Sequence, residues 1–418
     1  MDRLEKRLVQ LLVFLIPSNL ALHWYINSAY LNGKLIDYLL PKFYLSDVPA
    51  LMLILIYLFR ILKLHRYKHL LPYVAIPLYL FIRSISTPLP LSSIWYSLKL
   101  IELLLLTAYL ITYPLKQFLQ LIVSPLIAAL LFQTSLSLYQ FIHQSSFFGY
   151  YLLGESNLET SNIAKTVWFG LVEVAPYGTT PHPNVLAGFF TVGILLLLLS
   201  THISPIQKAK KAAFIVAIGL SIVIIILTQS FSAIVGLLGC LLIYLIRNKI
   251  STHGLRLLIQ MCVLSTLIIS PLFLSILFHL HFLIDNPSFV IRYELNHVAI
   301  DLWQQSPLHG IGPNIFTYDL PQTTLIGQKT FFLQPPHNIF LLLLTETGLI
   351  GIFLVIVTIY RLYSPHRRVA LLTSLPLYSL ILIGSLDHYP LTLQTGQLLL
   401  VFALAISVVG SKSSDSSL

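Results

Sequence analysis

The chain has 418 residues, 56% of them hydrophobic and only 10% charged, with a mean hydropathy of +0.84. Soluble domains carry about a quarter charged residues, so this composition excludes an ordinary soluble enzyme and indicates an all-α polytopic membrane protein. The net charge of +10 sits in short joints between apolar runs rather than on one polar domain, which argues against nucleic acid as a partner.

A membrane span needs about 20 apolar residues, and about twelve runs meet that measure. They cover 8–27, 45–62, 70–86, 92–111, 118–141, 183–203, 211–229, 231–247, 256–281, 337–360, 369–386 and 391–410. The first run follows Arg3, Lys6 and Arg7 and lacks a small-residue cleavage site, so it reads as a retained helix rather than a signal peptide. Threading the runs with both termini in the cytoplasm leaves only Lys34, Lys42, Arg83, Lys99, Lys165, Arg292 and Lys329 outside or within the membrane. That asymmetry follows the positive-inside bias. Cys240 and Cys262 both fall in apolar runs and show neither a metal spacing nor a disulfide framework.

The sequence reads as one integral membrane domain over 1–418 with two long external loops. The first, 143–183, carries Glu155, Glu159, Lys165 and Glu173 and ends in Thr180-Pro181-His182-Pro183-Asn184. The second, 282–336, is the largest polar interval and the expected place for chemistry. Asn286-Pro287 looks like a helix start, with Asn286 as N-cap. Ile291, Leu295, Val298 and Leu302 then recur at helical spacing, with Arg292, Glu294, Asn296 and Asp301 between them. This pattern predicts an amphipathic helix lying on the membrane face, ended by the turn Gly310-Ile311-Gly312-Pro313. The tail 411–418 reads as disordered and cytoplasmic.

Few residues in these loops can carry chemistry. His337 follows Pro335-Pro336 and opens a spanning helix at the outer interface. An imidazole there can take a proton from a hydroxyl nucleophile; its plainer role is a polar tip among headgroups. Arg292 is the only arginine of the two loops, and a guanidinium binds phosphate through two parallel hydrogen bonds. Its plainer role is to anchor the surface helix.

Arg83 and Lys99 are cations in or near spans, where charge is costly and defaults to a functional reading. Lys99 could equally neutralise Glu102 one helical turn away. Asn338 can cap the helix after His337. Glu346 lies about half a turn round that helix from His337, so it reads as an interhelical contact rather than a dyad partner. His182, Asn184 and the turn Asp387-His388-Tyr389 can converge on the same outer cavity. No HExxH, Walker, GxSxG or carboxylate cluster with metal spacing occurs, so neither a metal nor a cofactor is expected.

An ordered series of features resembles the O-antigen ligase and polymerase family of bacterial membrane proteins. It comprises Thr180-Pro181-His182-Pro183-Asn184, then Arg292 in a surface helix, then Ser306-Pro307-Leu308-His309-Gly310-Ile311-Gly312-Pro313-Asn314. Pro336-His337-Asn338 and Glu346-Thr347-Gly348-Leu349-Ile350-Gly351 follow. The resemblance covers about residues 180–360 and implies a GT-C type glycosyltransferase that works without a metal. Such enzymes move a glycan from a polyprenyl-diphosphate carrier to a lipid, glycan or protein acceptor at the outer face of the plasma (inner) membrane.

Carried onto this chain, the resemblance makes His337 the base for the acceptor hydroxyl and Arg292 the ligand of the leaving diphosphate. Arg83, Lys99, His182, Asn184, Asn338 and His388 become substrate-binding candidates. One departure is that Thr228-Gln229-Ser230-Phe231 has no cation at Phe231, where many members place an arginine; either Arg83 or Lys99 supplies that charge, or the substrate's charge is handled differently. A polysaccharide polymerase is the alternative within the family. A transporter or flippase of lipid-linked glycan is the alternative outside it, though the chain shows no duplicated halves.

Overall fold

The computed structural model describes residues 3–64, 73–160, 163–203, 208–246, 287–323, 333–363 and 370–415. The helices are α1 (Arg3–Leu15), α2 (Asp47–Lys63), α3 (Ala75–Ile85), α4 (Pro90–Leu110), α5 (Leu115–His143), α6 (Pro183–Ile203), α7 (Lys208–Thr228) and α8 (Phe231–Ile246). They continue as α9 (Pro287–Gln305), α10 (Phe316–Thr323), α11 (Ile339–Tyr363), α12 (Leu371–Gly384), α13 (Tyr389–Thr392) and α14 (Gln394–Asp415).

Among the described residues, 6 helices are long and apolar enough to cross a membrane: α4, α5, α6, α11 and the apolar stretches Lys211–Thr228 of α7 and Gln394–Lys412 of α14. The helices α3, α8 and α12 are apolar but shorter. The expected span 256–281 and the N-cap Asn286 lie outside the described residues.

The expected first span, 8–27, is not one helix. It ends at Leu15, just before Ile16-Pro17, because the residue preceding a proline is pushed out of the helical region. The chain then runs into a short antiparallel cap. In it β1 (Ala21–His23) pairs with β4 (Lys42–Tyr44), and β2 (Tyr30–Leu31) pairs with β3 (Lys34–Leu35) across Asn32-Gly33.

The two central helices are α6 and α14, whose most apolar windows are 78% and 89% buried by protein. Their Leu, Phe, Ala and Val side chains form one continuous core with α1, α2, α4 and α5. Lipid therefore faces mainly the outer ring, where Phe59, Phe353 and Tyr360 lie exposed.

The first loop is built around one carboxylate. Glu155, fully buried, accepts the N–H groups of Phe147 (2.7 Å), Phe148 (2.8 Å) and Gly149 (2.7 Å) and the Gln140 amide (2.9 Å). Gln140 Oε1 in turn accepts the N–H groups of Tyr177 and Gly178. This chain of bonds pins 177–178, and with it the entry to α6 at His182. The hairpin β5 (Lys165–Trp168)–β6 (Leu171–Val174) extends from the same loop. Its Val167 binds both ends of the Gln229 amide, so the turn beside Phe231 is held by a neutral side chain.

The amphipathic helix α9 does form, but its apolar stripe faces protein. Leu295, Val298, Ala299 and Leu302 are buried in a second core with Leu39 and Leu40 of the cap and Leu341 and Leu342 of α11. The expected seat on the membrane face is replaced because the neighbouring elements supply an apolar surface of the right size.

The turn after α9 is threaded through a break in α11. Gly348, at φ 64 and ψ −170, interrupts the helix and frees its backbone groups. Ile311 N–H then donates to Thr345 O (2.9 Å) and Gly312 N–H to Glu346 O (3.0 Å). In the other direction, Leu349 N–H donates to Pro307 O (3.0 Å) and Ile350 N–H to Leu308 O (3.1 Å). A Cβ at Gly348 would run into the Leu308 carbonyl, and one at Gly310 into the Glu346–Thr347 backbone. Thr345 Oγ1 also donates to Ala299 O of α9 at 2.8 Å. This knot fixes α9, and Arg292 on it, against the helix that His337 precedes.

Candidate active site

Three helix starts meet at one place. His182 and Asn184 stand at the start of α6, His337 and Asn338 precede α11, and Asp387-His388 leads into α13 and α14. Helix N-termini carry partial positive charge, and the Asp387 carboxylate lies where those of α6 and α11 come together.

Asp387 is the hub. Its Oδ2 accepts the Asn184 amide at 2.8 Å and its Oδ1 accepts the His388 N–H at 2.8 Å. His337 Nδ1 lies 3.6 Å from Asp387 Oδ1, the length of an ion pair rather than of a hydrogen bond. The His337 and His388 rings are 5.1 Å apart, and Tyr38 of the N-terminal cap meets His388 edge-on at 5.5 Å. Arg292, half-buried on α9, acts electrostatically on Asp387, His182 and His388 alike.

The electrostatics separate the roles. Burial alone would raise the Asp387 carboxyl; the neighbouring His337, then His388 and Arg292, overcome it and hold the group well below the usual carboxylate range. His388 is pushed down to about 3, first by burial and then by His337, against the pull of Asp387. His182 is lowered by the protein crowded around it, against the pull of Asp387 and with a further push from His337 and Arg292, although the residue keeps an exposed surface. His388 and His182 are therefore neutral at pH 7, able to offer hydrogen bonds without competing for a proton.

His388 makes stability depend on pH with a definite sign. The unfolded chain binds a proton at this position as pH falls through about 6.5, whereas the folded chain does not until about 3. Stability is thus full above about 6.5 and declines as pH is lowered towards the folded value. The melting temperature in detergent is expected to be lower at about pH 5 than at about pH 7.5. The difference should shrink in His388→Gln; an equal drop in that variant would remove His388 as its source.

Of the residues expected from sequence, His337, Arg292, His182, Asn184 and His388 gather at this site. Asn338 abuts it, but its side chain works on the backbone. Oδ1 accepts Phe340 N–H (2.9 Å) and Leu341 N–H (3.0 Å) as the N-cap of α11, and Nδ2 reaches Ser385 O. Arg83 donates to Gly310 O at 2.9 Å and so braces the threaded turn. Lys99 is buried between Asp47 and Glu102, bonded to both. Neither cation is brought to the histidines.

Glu346 is buried and accepts Phe316 N–H at 3.3 Å, the structural contact expected of it. Asp387 and Tyr38 complete the site. Asp387 was visible only as part of a turn, and Tyr38 lies in a cap that carries no catalytic motif.

His337, Asp387 and His388 also offer ligand atoms that all lie within 4.8 Å of one another, a spacing that could hold a metal ion. Two of the carboxylate's contacts are already hydrogen bonds from Asn184 and His388, and Arg292 adds positive charge.

Residues 216–356 match the family model described as O-antigen ligase. The resemblance read from the sequence is shown over that segment, which includes Arg292, His337 and the Gly348 break. No curated protein matches the chain.

Proposed function

We propose that the chain transfers a glycan from a polyprenyl-diphosphate carrier to an acceptor hydroxyl on a lipid, glycan or protein. The reaction would take place at the outer face of the plasma membrane, on a GT-C type framework with both termini in the cytoplasm. The O-antigen ligase match supports ligase-like glycan transfer. The observation that carries the mechanism is His337 Nδ1 aimed at Asp387, with Arg292 acting on the same carboxylate.

With Nδ1–H directed at Asp387, Nε2 of His337 is the free acceptor nitrogen. It takes the proton of the acceptor hydroxyl as that oxygen forms its bond to the anomeric carbon. The bond from that carbon to the carrier's phosphate oxygen breaks with its electron pair, and polyprenyl diphosphate departs. Arg292 and the helix N-termini face the charge that develops on the leaving group. Asp387 holds the imidazole and stabilises its protonated form. His182, whose Nδ1 accepts the Asn184 N–H, has its Nε2–H to donate to an oxygen of a bound substrate, and His388, held through Nδ1 by Thr392, lines the site.

The test uses protein in liposomes with a polyprenyl-diphosphate oligosaccharide and an acceptor glycolipid, following release of free polyprenyl diphosphate. Release with a chelator present, reduced about a hundredfold or more in Arg292→Ala, is the expected result. Intact carrier crossing the bilayer without diphosphate release would overturn the proposal in favour of transport. Release that the chelator abolishes and a divalent ion restores would support the second reading, in which His337, Asp387 and His388 hold a metal.

A further inference from the structure

Beside the histidine cluster lies a second cavity that the proposed mechanism does not use. It opens between the N-terminal cap, α4 and the start of α14, and its lining includes Tyr38, Trp95, Tyr96, Lys99, Asn314 and Gln394. Two contacts join it to the site: Tyr38 packs on His388, and Thr392, also in the lining, bonds His388 Nδ1 at 2.7 Å.

The chemistry of the lining is specific. Its cations are both neutralised, Lys42 by Asp37 and Lys99 by Asp47 and Glu102, so no charge among the described lining residues is left for a phosphate. The aromatic rings of Tyr38, Trp95 and Tyr96 supply flat apolar faces. Trp95 is half-buried and held by its Nε1–H bond to Lys42 O (3.1 Å) and by Trp24 edge-on at 5.0 Å.

Gln394 supplies a polar group that lacks a partner among the described residues. It is 3% exposed and its Nε2 donates to Ser46 Oγ (2.9 Å) and Asp47 Oδ1 (2.6 Å), yet its buried Oε1 accepts no hydrogen bond from the described residues. A buried acceptor without a donor costs about 1–3 kcal/mol, a cost that an O–H or N–H reaching it would relieve. Apolar faces with a few fixed amides and hydroxyls, and both cations paired with carboxylates, describe a pocket for an uncharged polyhydroxylated ring.

We propose that this cavity is a saccharide subsite, which seats a neutral sugar ring of the acceptor and presents its next hydroxyl towards His337. The assignment of the ring to the acceptor rests on the glycan-transfer reading above; the binding of a neutral sugar does not. Tyr38 and Thr392 then connect occupancy of the subsite to the position of His388.

The experiment is saturation-transfer NMR on the full-length protein in detergent with methyl glycosides of glucose, galactose, rhamnose and N-acetylglucosamine, and with inorganic phosphate as a charged probe. At least one glycoside is expected to bind. Trp95→Ala should weaken it about tenfold in Kd, about 1.4 kcal/mol, while Trp95→Phe retains most of the binding. Gln394→Met tests the unpartnered oxygen, and the two Trp95 variants decide the matter if it does not fold.

In the transfer assay the same Trp95→Ala change should raise KM for the acceptor and leave KM for the donor in place. No glycoside binding, binding unaffected by both Trp95→Ala and Gln394→Met, or phosphate binding that Trp95→Ala removes would each overturn the subsite. Sugar binding lost in Trp95→Ala in a protein that releases no polyprenyl diphosphate would uphold the subsite while the transfer reading fails.

Discussion

His337→Ala is expected to lower kcat for glycan transfer by about 10²–10⁴-fold, the range a general base contributes, with the protein still inserted and folded. His337 is only 13% exposed on its side chain and faces Asp387 at 3.6 Å, so the deletion removes the proton acceptor and leaves a carboxylate still bonded to Asn184 and the His388 N–H. Because those bonds persist, the local fold has little reason to collapse, and the loss should appear in kcat rather than in yield. Asp387→Asn is the companion measurement. It keeps the size of the side chain but loses the charge that orients Nδ1–H, and its kcat should fall in the same direction. Full turnover in a correctly inserted His337→Ala protein would end the general-base role.

Gly348→Ala is expected to damage the fold rather than the chemistry. At φ 64 and ψ −170 the backbone lies in a region open essentially to glycine, where another residue costs about 1–3 kcal/mol in strain alone. The new methyl would also drive into the Leu308 carbonyl and part the strand of chain that crosses the break. Four backbone hydrogen bonds, at Ile311, Gly312, Leu349 and Ile350, depend on that crossing. Their loss would free α9 and carry Arg292 away from Asp387. The measurement is the detergent melting temperature together with the yield of monodisperse protein, both of which should fall sharply. A variant that melts like the parent would show that α11 can close its break at no cost.

Much of the helical order was legible because a lipid environment demands long apolar runs, and such runs are contiguous in sequence. The expected span 183–203 coincides with α6, and 92–111, 118–141 and 231–247 lie within a few residues of α4, α5 and α8. His337, Arg292, His182 and Asn184 were also legible, through the order of motifs that carries the family resemblance rather than through any one of them alone, and His388 through the turn Asp387-His388-Tyr389. The hairpin turn Asn32-Gly33 was visible in principle, being a pair that two-residue hairpin turns favour. It was concealed inside an interval read only as a joint between spans.

The sequence alone determined the class of protein, most of its helices and the residue types available for chemistry, because hydropathy and charge act locally along the chain. Tertiary structure decided everything that depends on which ends meet. It made Asp387 the partner of His337, 50 positions away in the chain. It paired Lys99 with Asp47, a separation of 52 residues, and so withdrew that cation from the substrate. It turned the stripe of α9 away from lipid and onto α11, where a glycine break opened hydrogen-bonding groups to the Pro307–Gly312 turn. The reason is physical: an unpaired buried charge, an open backbone group or an apolar face must find a partner, and the sequence shows the need while the packed chain selects the partner.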